Sequence, residues 1–124
     1  MAIGIARLGS ARARGEGLRL GTVRRPPRGV RKADYARRNY YDLWLPELAP
    51  SAKLIAQADK SWERFVSGYR REMRAPTAQR LIELLARLSH HANFSVGCYC
   101  EREERCHRSI LRQLLVERGA AIAG

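Results

Sequence analysis

The 124-residue sequence predicts a single α/β domain, residues 1–124, built on a mainly parallel sheet. Three observations carry that expectation. Short apolar stretches with strand character open the chain, and two amphipathic helices fill its middle. An apolar strand, a charged loop and a helix then follow one another between Asn93 and Leu115. A strand reached only after a long helical crossover is expected to lie parallel to the earlier ones.

Ala2 to Leu8 alternates weakly through Ile3 and Ile5 and is predicted to be the first strand. Gly9 to Gly17, GSARARGEG, is a polar loop. Leu18, Leu20 and Thr22-Val23 suggest a second strand, halted by Pro26, Pro27 and Gly29. The following segment, Arg24 to Lys32 (RRPPRGVRK), presents its arginines on a backbone stiffened by proline. Asn39 to Pro46, NYYDLWLP, has the aromatic and apolar density of a third, mostly buried strand or an extended segment.

Ser51 to Ala58 is expected to open a short helix with Leu54 and Ile55 inward. In the next helix, capped near Asp59 or Ser61, Trp62, Phe65, Val66, Tyr69 and Met73 share one face and read as core. A third helix starts with Pro76 near its first position and is expected to bury Leu81, Ile82, Leu84, Leu85 and Leu88. It breaks at Ser89-His90-His91, where histidines suit terminal carbonyls, and no catalytic role is assigned to them. Phe94, Val96 and Cys98 mark a buried strand, closed by the charged loop Glu101 to Arg105. Ile110, Leu111, Leu114 and Leu115 recur on one face of a last helix, which Gly119 is placed to end.

Net charge is +12, and it is uneven. The basic, loop-rich N-terminal third, residues 1–32, holds eight arginines and Lys32 against Glu16 alone. Such a concentration suits polyanionic partners, nucleic acid or phosphorylated ligands. It equally suits a chain that simply uses arginine wherever a solvated cation is needed, since arginine outnumbers lysine throughout. No apolar run is long enough to span a membrane, and no basic region precedes an apolar stretch at the start. A cytoplasmic protein with no membrane partner is therefore expected.

All three cysteines fall within nine residues, Cys98, Cys100 and Cys106, followed by His107, Arg108 and Ser109. An odd, clustered set does not resemble a secreted disulfide framework and points to a metal, redox or catalytic site. Strand alternation puts Cys98 and Cys100 on one side and Tyr99 on the other. Cys98, Cys100, Cys106 and His107 offer four ligands for zinc or iron, although C-x-C is tighter than the usual zinc knuckle. A phosphatase-type C-x5-R loop fails on arithmetic, because the sixth residue after Cys98 is Glu104 and the sixth after Cys100 is Cys106. What remains is a thiol, an imidazole and a guanidinium in the first turn of a helix, where unpaired N–H groups and the helix dipole favour anions. Cys106 is accordingly expected to titrate below an ordinary thiol.

These residues resemble a known family. CHRSIL at Cys106 to Leu111, preceded by Cys98 at the end of an apolar strand, is similar to the domain-of-unknown-function-488 family. PRGVRK at Pro27 to Lys32, DLWLPELAPS at Asp42 to Ser51 and WERFVSGYRREM resemble its short, YeaO-like branch. Where the cysteine-bearing branch often has a glutamate two residues after its first cysteine, this chain has Cys100. The resemblance implies an α/β, Rossmann-like fold and no established reaction, and the architecture expected is a three-layer domain with helices on both faces of the sheet. Its site positions would fall on Arg24, Arg28, Cys98, Cys106, His107 and Arg108.

The expectation is thus a protein that binds a phosphate-bearing ligand, nucleotide or nucleic acid, at the strand-loop-helix segment 93–118. Cys98 or Cys106 would supply any thiol chemistry and His107 the base, with Arg24, Arg28, Arg108 and Ser109 holding the anion. Arg28 and Arg108 are expected to converge on one edge of the sheet. Two other classes stay open: a small zinc or iron module on Cys98, Cys100, Cys106 and His107, and a non-catalytic nucleic-acid-binding accessory protein.

Overall fold

A computed structural model describes residues 1–123 of the chain. Its centre is a parallel sheet of β1 (Ile3–Arg7), β2 (Leu18–Gly21), β3 (Leu43–Trp44) and β4 (Phe94–Cys98), in the order β1-β4-β2-β3. β4 is buried at all five positions and pairs with β1 from Ile3↔Phe94 to Arg7↔Cys98, and with β2 from Leu18↔Phe94 to Gly21↔Gly97. Because every strand runs the same way, Leu8, Thr22 and Cys98 emerge at one edge. There Leu8 N–H donates to the Cys98 carbonyl (2.8 Å), and Thr22 N–H donates to the Gly97 carbonyl (3.0 Å).

The crossover from β3 to β4 contains α1 (Ala52–Gln57), α2 (Trp62–Glu72) and α3 (Pro76–Leu88), and α4 (His107–Glu117) closes the chain. Ser51 and Ser61 cap α1 and α2, accepting from the N–H groups of Leu54 and Arg64. Phe65, Tyr69 and Met73 of α2 join Ile82 and Leu85 of α3 and Ile110, Leu111 and Leu115 of α4 over Ile3, Leu20, Phe94 and Val96 of the sheet. Gly119 has φ +85° just past α4, as a glycine terminator requires.

The opposite face carries the loop 8–17 and a segment from 32 to 42 that includes a 3-10 turn at Lys32–Asp34, giving three layers. That face is pinned by Arg19. Its guanidinium meets Glu16 (Nε to Oε2, 2.8 Å) and donates to the carbonyls of Ser10 and Asn39, at 2.9 and 2.8 Å. Ser95 on β4 donates to the same carboxylate at 2.6 Å. Arg19 is therefore a structural cation, and only part of the basic N-terminal third faces solvent.

Three expectations are corrected. Ile55 on α1 faces solvent, and of the expected pair Leu54 alone is buried. The third strand is only Leu43–Trp44 and is exposed, because Asn39 turns the chain with φ +65° and Tyr41 folds inward instead. Leu84 and Leu88 lie on the outer side of α3 and face solvent, while Ala78, Ile82, Leu85 and Ala86 take the core positions.

Candidate functional site

The carboxyl edge of the sheet holds a second, smaller cluster of Leu8, Val23, Tyr41, Cys98 and Cys106, with Tyr35, Tyr40 and Tyr99 packed against it. Cys98 ends β4, Cys100 follows on the exposed turn, and Cys106 is the N-cap of α4. The three sulfurs lie within 4.8 Å of one another, and Cys98 Sγ and Cys100 Sγ are 3.6 Å apart. All three are free thiols. Tyr99 turns away as strand alternation requires, its hydroxyl donating to the Arg25 carbonyl at 2.9 Å.

His107 is buried at the start of α4. Its Nε2 lies 2.6 Å from the Thr22 carbonyl oxygen, which can only accept, so Nε2 carries the proton. Nδ1 then presents a lone pair 3.8 Å from Cys106 Sγ. Burial pulls the imidazole down to about 4, against the opposing pull of the Thr22 hydrogen bond, and the ring is neutral at physiological pH. The mutual sulfur set does not extend to His107.

The three thiols share their protons. Cys100 is held far below the usual thiol range because Cys106 and then Cys98 donate to its sulfur, with the positive charge of Arg108 adding to the effect. Cys106 is pushed far up by the same hydrogen bonds and by burial, and Cys98 rises to about 11, chiefly through its bond to Cys100. The expectation that Cys106 is the acidic thiol is therefore corrected. A helix N-terminus lowers a thiol only when the sulfur is not also buried as a proton donor to its neighbours.

Arg108 is also buried. It donates to the Ala6 carbonyl (2.8 Å) and the Cys100 carbonyl (2.9 Å), binding the end of β1 to the cysteine turn, while its Nε is buried without a partner. Ser109 donates to the Cys106 carbonyl at 2.9 Å. Neither lines the cavity above the sulfurs, which is about 380 Å³.

That cavity has apolar walls from Val23, Pro50, Ile55 and Phe65, the three cysteines and His107 at its floor, and Arg24, Arg25 and Arg105 among its lining. Arg24 is fixed by donating to the carbonyls of Pro50 (3.1 Å) and Ala49 (3.3 Å). Arg105 lies over the Trp62 ring, 5.6 Å from its centroid. Arg28 is exposed and is not part of the lining, so the expected convergence of Arg28 with Arg108 is replaced by that of Arg24 and Arg25 with Arg105.

A family model described as the active DUF488-N3 subclade matches residues 3–119. The chain belongs to the DUF488 family. No curated protein and no solved structure gave a match. In this DUF488 chain the cysteine and histidine positions implied by the resemblance meet at one site, and Arg24 joins them at the cavity. Arg25, Arg105 and Thr22 were not singled out from the sequence. Arg105 had one signal, its place directly before Cys106, whereas the Thr22 carbonyl had none, because a backbone acceptor leaves no mark on residue type. Among the described residues no helix is long and apolar enough to cross a membrane.

Proposed function

We propose that this DUF488 protein binds a phosphate-bearing ligand, a nucleotide or the end of a nucleic acid, in the cavity above the cysteines, and that Cys100 is the thiolate that meets it. The supporting observation is the composition of the cavity: three thiols at the floor and Arg24, Arg25 and Arg105 around an otherwise apolar chamber. Guanidinium groups select a doubly charged phosphate, and apolar walls accept a flat organic body. Exposure makes Cys100 the thiol a ligand can reach, while Cys98 and Cys106 stabilise its charge as hydrogen-bond donors. His107, neutral and with Nδ1 open, takes or returns the Cys106 proton as charge moves among the sulfurs. Arg108 acts as a positioning residue that fixes the cysteine turn. The family model's description as an active subclade supports a catalytic rather than a purely structural reading.

Calorimetry with adenosine monophosphate and uridine monophosphate, each beside its nucleoside, tests this. The monophosphates are expected to bind, the nucleosides not, and Arg25→Ala and Arg105→Ala each to weaken binding tenfold or more, of the order expected for a charged hydrogen bond. Equal affinity for nucleoside and nucleotide, or no binding by either monophosphate, would overturn it.

The sulfur geometry favours one second reading. Thiolates around a tetrahedral zinc are separated by roughly 3.8 Å, and Cys98 and Cys100 are already 3.6 Å apart. Cys98, Cys100 and Cys106 would then be three ligands, with His107 Nδ1 as the nearest candidate for a fourth. Metal content of protein purified without an affinity tag separates the two: one tightly held zinc per chain favours the metal, and its absence after purification in zinc-supplemented medium excludes it.

A further inference from the structure

We infer that the three cysteines form a redox site that reduces a hydroperoxide, with Cys100 as the attacking sulfur and Cys98 as the resolving one. The inference rests on the spacing of the sulfurs and the exposure of Cys100, and not on the phosphate ligand.

Three features carry it. The first is separation: free sulfurs stand within 4.8 Å of one another, and Cys98 and Cys100 at 3.6 Å are within reach of a bond after a small rotation. The second is asymmetry. Cys100 is exposed at a cavity of about 380 Å³, while Cys98 and Cys106 are buried behind it, so a small oxidant meets one thiol first and two reserves stand within a side-chain rotation. The third is the hold on the turn. Arg108, itself buried, donates to the Ala6 carbonyl at 2.8 Å and to the Cys100 carbonyl at 2.9 Å, so the backbone of the cysteine turn is fixed while the sulfurs exchange partners.

The chemistry balances with one oxidant and one later reductant. The Cys100 thiolate attacks the outer oxygen of the hydroperoxide, which keeps its hydrogen; the S–O bond forms as the O–O bond breaks, and the alkoxide leaves and takes a proton from solvent water to become an alcohol. Sulfur loses two electrons and the peroxide gains them, leaving a sulfenic acid. Cys98 then gives up its proton and attacks the Cys100 sulfur; the S–S bond forms and the hydroxyl group departs as water with that proton. A small cellular thiol or a dithiol protein returns the two electrons by exchange.

The test uses the full chain, freed of metal by a chelator and of reductant by gel filtration, and treated with one equivalent of cumene hydroperoxide. The expected product has lost about 2 Da, shows one thiol to an alkylating agent in denaturant where three reacted before, and yields a Cys98–Cys100 disulfide on peptide mapping. Dithiothreitol restores all three thiols. Cys100→Ser, a change at an exposed position, is expected to keep the melting temperature and to lose peroxide consumption at least a hundredfold. Sulfinic acid accumulating on Cys100 at one equivalent, a disulfide that excludes Cys100, or three intact thiols after a tenfold excess would each overturn the inference. Disulfide formation in a protein that binds no monophosphate would leave this inference standing and remove the ligand. Monophosphate binding with inert thiols would do the reverse.

Discussion

The Thr22 carbonyl oxygen accepts a 2.6 Å hydrogen bond from His107 Nε2, joining the end of β2 to the first turn of α4 across 85 residues of sequence. This bond decides which nitrogen faces the cysteines. His107→Gln, whose amide nitrogen can still donate to Thr22, is expected to keep most of the stability. His107→Leu leaves a buried carbonyl unsatisfied and is expected to cost about 1–3 kcal/mol. Urea denaturation of the two variants, compared at equal m-value, measures the difference.

The thiols should label in a fixed order. Iodoacetamide at neutral pH is expected to modify Cys100 first, because it is exposed and ionised, with Cys98 and Cys106 reacting only on unfolding. Peptide mapping at partial modification reads the order. Faster labelling of Cys106 would contradict the distribution of protons described above.

Glu16 sets an acid limit to stability. Its carboxyl is lowered from 4.5 to about 2: burial alone would raise it, and hydrogen bonds from Arg19, Ser95 and the Ala13 N–H outweigh that. A depressed carboxylate stabilises the fold fully above its unfolded pKa and progressively loses that contribution as pH falls through the folded value. The window is therefore about pH 4.5 down to 2, and the contribution is up to about 3 kcal/mol. Glu16→Gln should flatten the fall in melting temperature across that window and lower stability at pH 7.

Gly17 has φ +79°, and a side-chain carbon there would fall 1.9 Å from the Asn93 carbonyl oxygen. Gly17→Ala combines a disfavoured backbone with a clash against the entry to β4, and is expected to cost about 3 kcal/mol or more. Gly15→Ala, also at positive φ but in open space, should cost less, since only the backbone term applies. Thermal melts of the pair separate clash from conformation.

The parallel sheet was legible because the helical face of Trp62, Phe65, Tyr69 and Met73 forces a crossover before Phe94. NYYDLWLP was misleading for a physical reason. Its aromatic residues serve a small cluster at the sheet edge, where Tyr41 packs beside Cys98 and Cys106, and aromatic density alone does not separate that role from a strand. Arg19 was hidden among surface cations. Its one sequence signal is Glu16 three residues earlier, a spacing common on solvated segments as well. The cysteine cluster was visible from spacing, whereas the proton distribution within it was not, since that depends on which sulfur is buried and which donates.

β4 lies between β1 and β2, yet it is the last strand to be made. Until residue 98 has left the ribosome, β1 has no partner in the sheet, and β2 has only the two-residue pairing with β3. The first ninety residues can therefore form helices but not their sheet, and the growing chain carries two unpaired apolar strand edges through most of its synthesis. For this chain, folding is an event that waits on the final quarter, and the same late strand that completes the sheet delivers the cysteines to their places.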